Sequence, residues 1–113
     1  MKIDVSFVIV TFNYEKYILD SVNSCLVQKN SGLNIEVIIV DDGSQDKTEY
    51  LIKRNFLNDQ IRFYKIDNLG IEGAANFGFN MAQGTYIVRV DADDLLKENY
   101  LIKIKKYLDN NYD

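Results

Sequence analysis

The sequence of 113 residues contains no histidine and a single cysteine, Cys25. One cysteine excludes an internal disulfide and any metal site built from several thiolates. Its apolar neighbours Val22 and Leu26 predict a small buried thiol, which fits a reducing cytoplasm. Without histidine the chain lacks the commonest general base near neutral pH and the usual zinc ligand. Any chemistry in this chain is therefore expected to rest on carboxylates.

Long apolar runs and dense basic blocks are also missing. No apolar run approaches the roughly 20 residues that a helix needs to span a bilayer, so we expect no transmembrane segment in this chain. The opening residues include an acid, Asp4, where a signal peptide would stay positive and then apolar. Thirteen basic residues stand scattered against 17 acidic ones, a net charge of −4. Nucleic-acid binders usually carry a clustered basic face, so nucleic acid is not an expected partner.

What is present predicts one α/β domain over residues 1–113. Apolar residues make up 47% of the chain, enough for a packed core. Runs rich in β-branched residues predict strands at 5–10, 35–40, 61–66 and 86–90, and apolar residues at helical spacing predict helices within 14–26, 51–56, 74–82 and 101–108. This alternation predicts a mostly parallel, Rossmann-like sheet with helices on both faces. The first, second and fourth strands are almost continuously apolar, which predicts that both of their faces are buried.

Short polar residues and glycines indicate where the helices begin and end. Ser44 or Asp46 is expected to cap the second helix, and Gly84 to end the third in a left-handed conformation. Small residues across 68–78 suit a close approach to a ligand or to a neighbouring helix. A helix beginning near Gly73 would offer free N–H groups to a phosphate.

In sheets of this kind, ligands bind outside the carboxyl ends of the strands. The segments that follow the four predicted strands are 11–14, 41–44, 67–70 and 91–94. They contain no basic residue, and they hold six aspartates, at positions 41, 42, 67, 91, 93 and 94. Like charges gathered in this way cost folding free energy unless a cation or strong donors offset them.

Asp91, Asp93 and Asp94 follow the fourth strand. With oxygen ligands alone, such a group favours Mg²⁺ or Mn²⁺, ions that take one or two carboxylates and fill their other positions with water and substrate phosphates. The pattern predicts a metal-bridged diphosphate. The alternative is that one acid caps the last helix and the others are solvated loop charges.

Other segments at this edge are ambiguous. Asp41 suits a hydrogen bond to a ribose or a base N–H, with Gly43 permitting a tight turn, although an Asp-Gly turn is the plainer interpretation. The first strand is followed by TFNYEK instead of GxGxxG, which disfavours NAD or FAD. Arg89 interrupts the fourth strand, and it either pairs with a core acid or reaches the edge of the site.

Taken in order, three segments resemble the family 2 glycosyltransferases, nucleotide-sugar-dependent enzymes of the GT-A fold. They are VSFVIVTFN, EVIIVDDGSQDKT, and NLGIEGAANFGFNMAQGTYIVRVDADD, which ends in a D-x-D motif. The resemblance runs from about Val5 to Asp94. It implies an inverting transfer of a sugar from a nucleoside diphosphate, most readily UDP, to a glycan or lipid-linked acceptor in surface polysaccharide synthesis. The protein would then be cytoplasmic or peripheral at the inner face of the membrane.

The resemblance also implies roles for individual residues. Thr11, Asn13 and Tyr14 would border the nucleoside. Asp93, with Asp91 beside the ribose, would hold Mn²⁺ or Mg²⁺ against the diphosphate. The remaining donor-binding residues would be Asp41, facing the base, Asp42 close by, and Asn76.

The chain departs from the family pattern in three places. Ala75 stands where the family commonly has an arginine, and the chain has no proline at all. The acceptor half and the catalytic base, which the resemblance places downstream of Asp113, have no counterpart. We therefore expect a donor-binding domain from a truncated glycosyltransferase. The alternatives are a nucleotide-binding module without turnover, a Mg²⁺-binding receiver domain, which needs an acid after the first strand, and an Asp-nucleophile phosphatase.

Overall fold

The computed structural model describes residues 2–56 and 58–109. Within them the predicted alternation of strands and helices is confirmed, and each observed strand lies within one residue of its predicted ends. A short 3-10 helix, Val27–Ser31, continues the first helix, Ile18–Leu26. The elements are β1 (Val5–Thr11), α1 (Ile18–Leu26), β2 (Ile35–Asp41), α2 (Thr48–Asn55), β3 (Ile61–Lys65), α3 (Gly70–Met81), β4 (Tyr86–Asp91) and α4 (Tyr100–Asp109). The predicted last residue of the fourth helix, Leu108, has a side chain outside the described part.

The four strands form one parallel sheet with the order β3-β2-β1-β4. After β1, the chain adds β2 and β3 on one side of β1. It then crosses over and places β4 on the other side of β1. The strand order therefore reverses between β1 and β4, and the loops at their carboxyl ends diverge at this point. In the register, Thr11 lies beside Asp41 of β2, and Val10 lies beside Asp91 of β4. Residues that follow three different strands are thus gathered at one edge.

Helices cover both faces of the sheet, as predicted. Side chains of β1 and β2 alternate between the two faces, as the two-residue period of a strand requires. Phe7 and Ile39 pack on the side of α1, α2 and α4, whereas Val8 and Val40 pack on the side of α3. Both central strands are buried along their whole length. The sheet is therefore a rigid base for the loops at its edge.

The strand β4 is less covered than predicted. Val90 is 3% exposed and faces the α1 side, but Ile87 on the opposite face is 45% exposed. The expectation of burial on both faces is wrong for this strand because β4 is at the edge of the sheet. The helix α3 packs over β1 and β2 and leaves the outer face of β4 uncovered.

Close packing explains two glycines. A Cβ on Gly78 would overlap Val8 Cγ1 and would lie 3.2 Å from Val40 Cγ2, so α3 rests on the sheet through a bare backbone. Gly84 does not end α3 in a left-handed conformation as predicted, because α3 ends at Met81 and Ala82 is extended. A Cβ on Gly84 would instead lie 2.6 Å from Ser6 Oγ. Within segment 68–78, Gly78 thus allows a close approach to the strands β1 and β2, whereas the prediction was packing against a neighbouring helix.

A polar network joins the elements at the amino end of the sheet. Glu36 accepts hydrogen bonds from Ser6 Oγ (2.5 Å), from the Gln83 N–H (2.7 Å) and from Arg62 (2.8 Å). Burial raises the pKa of Glu36, but these donors outweigh burial and hold it below its usual value. The Arg62 guanidinium also donates to the Met81 carbonyl, at 2.6 Å. This network anchors the connection from α3 to β4 at the end of the sheet opposite to the aspartates.

Candidate functional site

A cleft opens at the carboxyl edge of the sheet, between the end of β1 and the start of α3. Its volume is about 380 Å³, within the usual range of small-molecule sites. Aromatic and aliphatic side chains form most of its wall, with one carboxylate and one amide. The lining residues are Val10, Phe12, Tyr14, Asp42, Asn68, Gly70 and Ile71.

Thr11 and Asp41 lie side by side at the ends of β1 and β2, and both are buried. Asp41 Oδ1 accepts a hydrogen bond from the Ser44 N–H at 2.9 Å. Among the described residues, neither Thr11 Oγ1 nor Asp41 Oδ2 has a hydrogen-bond partner. A buried polar atom without a partner costs about 1 to 3 kcal/mol. Neither side chain is among those that line the cleft, so the structure does not bring these two predicted residues into that cavity.

Asn13 joins two loops of the site. Its backbone is left-handed, with φ +58°, and its N–H donates to Ser44 Oγ at 2.7 Å. In return, Asn13 Oδ1 accepts the Gln45 N–H at 2.9 Å. Gly43 has φ +89°, which confirms the tight turn predicted there. The loops after β1 and β2 therefore hold each other in place.

The N-cap of α2 is Lys47, which makes no side-chain cap hydrogen bond, so neither predicted cap occupies that position. Asp46, one residue earlier, nevertheless bonds to the first residue of the helix. Asp46 Oδ1 accepts the Thr48 N–H at 3.0 Å and the Thr48 hydroxyl at 2.6 Å. Asp46 Oδ2 accepts the Glu15 N–H at 3.0 Å. Burial raises the pKa of Asp46, but these hydrogen bonds outweigh it and lower the pKa below its usual value. Asp46 thus links the start of α2 to the loop that carries Tyr14.

Asp42 holds the start of α3. One carboxylate oxygen accepts the Leu69 N–H at 2.6 Å and the other accepts the Gly70 N–H at 3.0 Å. The negative charge lies at the positive end of the helix dipole, which is a favourable arrangement. The expected helix start near Gly73 is wrong, because α3 begins three residues earlier, and there Asp42 accepts the Leu69 and Gly70 N–H groups.

The carboxylates of Asp91, Asp93 and Asp94 form a cluster at the end of β4. One oxygen from each lies within 4.8 Å of the others, and all three residues are exposed. The turn is closed by the Asp94 N–H, which donates to the Asp91 carbonyl at 3.0 Å. None of the three caps α4, which begins six residues later at Tyr100. This set of hard oxygen donors fits Mg²⁺ or Mn²⁺.

Arg89 reaches the edge of the site instead of a core acid. Its Nη1 lies 3.4 Å from Glu72 Oε1, and its Nε lies 4.0 Å from Asp91 Oδ1. Asn76 is exposed on α3 and is not among the residues that line the cleft. Ala75, at the position of the family's arginine, is fully buried against the sheet.

Ile71 lines the cleft but was not predicted to do so. It follows segment 67–70 by one residue, and it enters the site because α3 begins earlier than expected. If the start of α3 had been predicted at Gly70, Ile71 would have been expected in the first turn of the helix, beside the cleft. The described part of the chain contains no helix with the length and apolarity to cross a bilayer.

A parallel sheet with a reversal of strand order, and with a cleft and carboxylates at its carboxyl edge, defines an α/β domain of the doubly wound class, in which this edge is the usual place for a ligand. The family model for glycosyl transferase family 2 matches residues 6–113, and the chain belongs to this family. The resemblance noted in the sequence is thereby confirmed. Membership in this family excludes the two alternatives of a receiver domain and an Asp-nucleophile phosphatase.

Relatives with similar sequences are bacterial. An uncharacterized glycosyltransferase of Haemophilus influenzae is 35% identical over 109 residues, which are 95% of this chain and 33% of that protein. Glycosyltransferase GlyG of Streptococcus pneumoniae is 38% identical, over 86% of this chain and 32% of its own length. The minor teichoic acid biosynthesis protein GgaB of Bacillus subtilis is 32% identical, over 94% of this chain and 12% of its own length. The chain thus spans a third or less of each of these relatives.

Solved structures share the fold. S. aureus TarS 1-349 in complex with UDP has a TM-score of 0.82 and 29% identity, covering 97% of this chain and 33% of that one. The mannosyltransferase PcManGT from Pyrobaculum calidifontis, solved in complex with GDP-Man and Mn²⁺, has a TM-score of 0.81. At 23% identity over 96% of this chain and 33% of its own, it shows the fold alone. The predicted GT-A fold is confirmed.

Proposed function

We propose that this chain is the donor- and metal-binding part of a glycosyltransferase that moves a sugar from a nucleoside diphosphate to a glycan or lipid-linked acceptor. The observation that carries the proposal is the placement of the cleft and the carboxylate cluster on the two sides of the end of β1. A nucleoside in the cleft and a diphosphate at the cluster are the two parts of one donor. Membership in the family supports this interpretation.

The nucleoside would be recognised at the ends of β1 and β2. Asp41 Oδ2 and Thr11 Oγ1 have no partner in the described residues, and they suit a base N–H and a ribose or base group respectively. Both side chains are buried outside the lining of the cleft, so they would contact a nucleoside only after the loops that follow β1 and β2 move. Tyr14, which is 41% exposed and packs at an angle against Tyr17, offers an aromatic surface beside the cleft. Asn13 would act by holding this loop. UDP is the first nucleotide to test, since a carboxylate suits the single N–H donor of uracil and the TarS structure contains UDP.

Asp93 and Asp91 would hold Mn²⁺ or Mg²⁺ against the diphosphate. When bound, the ion would supply Lewis-acid stabilisation of the departing nucleoside diphosphate. The role of the chain's own residues is to present carboxylate oxygens from a rigid strand end. The three exposed acids otherwise repel one another, so a divalent ion offsets their charge.

The remainder of the reaction belongs to the whole enzyme. We propose that a carboxylate beyond Asp113 deprotonates the acceptor hydroxyl and that the transfer inverts the anomeric carbon. The acceptor would be a glycan or lipid-linked glycan of surface polysaccharide synthesis, with the enzyme in the cytoplasm or peripheral at the inner face of the membrane. The teichoic acid relative GgaB supports the acceptor class.

The test is calorimetric titration of the chain with UDP, GDP, dTDP and CDP, with and without Mn²⁺. We expect metal-dependent binding of one diphosphate and its loss in Asp93→Asn. Asp59→Asn is the matched control, because Asp59 is exposed near the amino end of β3, at the opposite end of the sheet. If none of the four binds to the folded chain, or if Asp93→Asn binds as the wild type does, the proposal is wrong. Binding without turnover in the full-length enzyme would favour the module without catalysis.

A further inference from the structure

Arg89 is a basic residue in an otherwise apolar strand with a terminal acid, and the core does not require it. It lies on the uncovered face of β4, the face that also carries Asp91. Its side chain is 34% exposed, and its partner Glu72 is 79% exposed. Exposed ion pairs contribute little to stability, so the packing of the sheet does not explain an arginine at this position.

Within residues 2–56 and 58–109, the contacts of Arg89 leave most of its donors without a partner. A guanidinium has five N–H donors, and strong pairs with carboxylates have N to O distances of about 2.7 to 2.9 Å. The distances here are 3.4 Å to Glu72 and 4.0 Å to Asp91, so both pairs are loose. A planar, always charged group with loose partners is suited to phosphate oxygens.

Arg89 lies beside the carboxylate cluster and outside the cleft. It lines a shallow hollow with Phe79 and Ile87. It is also within reach of Asp91, a member of the cluster, and of Glu72 in the first turn of α3. A ligand with its base in the cleft and its phosphates at the cluster carries its negative charge into this region.

We propose that Arg89 binds the diphosphate of the donor and acts as a second cation beside the metal. This inference rests on the proposed function. It predicts that Arg89 discriminates between phosphate groups by charge and leaves the base unrecognised. Loss of a charge-assisted hydrogen bond at this partly exposed position is expected to weaken diphosphate binding about tenfold.

The experiment compares Arg89→Gln and Arg89→Lys with the wild type, using calorimetry with the diphosphate that the wild type binds, its monophosphate, and Mn²⁺ alone. For Arg89→Gln we expect a loss of about tenfold for the diphosphate in Mn²⁺ and at most about threefold for the monophosphate. Mn²⁺ alone should bind equally well or up to about threefold more tightly, because a positive charge near the cluster is removed. The diphosphate affinity of Arg89→Lys should lie between those of the wild type and Arg89→Gln.

Glu72→Gln is the matched control, since it removes the other partner of Arg89 and leaves the guanidinium in place. Its affinity for the diphosphate should be unchanged or higher. Equal diphosphate affinity in Arg89→Gln and the wild type would overturn the role of Arg89 alone. An equal loss for monophosphate and diphosphate would also overturn it, and melting temperatures show whether each variant is folded. If the wild type binds no diphosphate, the proposed function itself fails. Should Arg89→Gln not fold, Arg89→Met, which keeps a long side chain without its charge, takes its place, and unchanged diphosphate affinity in that folded variant overturns the role of Arg89.

Discussion

Replacing Asp42 with asparagine tests whether this carboxylate holds the wall of the cleft. Both of its oxygens are occupied by backbone donors, at 2.6 and 3.0 Å, although neighbouring Leu69 is itself exposed. Asparagine keeps the size of the side chain but has one acceptor oxygen. Its NH₂ group would face the second N–H, donor against donor, and the favourable charge at the start of α3 would be lost.

The magnitude follows from these contacts. A hydrogen bond to a charged group contributes about 1.5 to 3 kcal/mol, and a charge at a helix terminus about 0.3 to 1 kcal/mol. Water can reach the released N–H groups because Leu69 and Gly70 are exposed, which offsets part of the loss. We therefore expect Asp42→Asn to lower the free energy of unfolding by about 2 kcal/mol, a drop in melting temperature of about 8 °C for a domain of this size.

The assay is thermal unfolding, combined with hydrogen exchange of the Leu69 and Gly70 amides. Asp67→Asn is the matched control, because Asp67 is exposed in the same loop and its substitution makes the same change in charge. We expect faster exchange at both amides in Asp42→Asn only. Equal melting temperatures and equal exchange in the two variants would refute the argument that Asp42 anchors this loop.

Three further predictions concern packing, pH and the thiol. Gly78→Ala should destabilise the fold by about 1 to 3 kcal/mol in denaturant unfolding, despite the better helix propensity of alanine, because α3 must move off Val8. Adding Val8→Ala should give a favourable coupling in the double-mutant cycle; a coupling of zero would contradict the close approach. Since the pKa of Glu36 is lowered in the folded state, its contribution is complete above its ordinary value near 4.5 and is lost as the pH falls through the folded pKa. Glu36→Gln should therefore flatten the loss of stability in acid, and an unchanged pH profile would argue against it. Burial raises the pKa of the Cys25 thiol to about 12, so an aromatic disulfide reagent at pH 8 should label the unfolded chain and leave the folded one unmodified. Rapid labelling of the native protein would contradict the buried position.

Much of the candidate site could be predicted from the chain because its residues follow directly after strands. The positions of Thr11, Asp41 and the acids from Asp91 onward depend only on where each strand ends, and strand ends follow from local patterns of apolar and polar residues. The metal preference followed from composition, since carboxylates are the only abundant ligands. Whether these residues bind a donor stays a prediction that the titrations above address.

The distinction between Asp41 and Asp42 required the tertiary structure. Adjacent residues at a strand end face opposite sides, so the sequence places the two carboxylates apart but does not say which one has a partner. The pairing depends on α3, whose first N–H groups reach Asp42 and leave Asp41 Oδ2 without a partner in the described residues.

The sequence by itself determined the order of strands and helices and the segments that meet at one edge, because both depend on short-range periodicity. Only the tertiary structure decided which strand forms the edge, which face of it stays uncovered, and what Arg89 contacts. These features depend on pairing between residues far apart in the chain. The strand β4 pairs with β1, although about 80 residues separate the paired positions. The helix α3 covers β1 and β2 and not β4, the strand that follows it in the chain. A local pattern states that a side chain will be buried or exposed, whereas its neighbours are set by how the whole sheet is assembled.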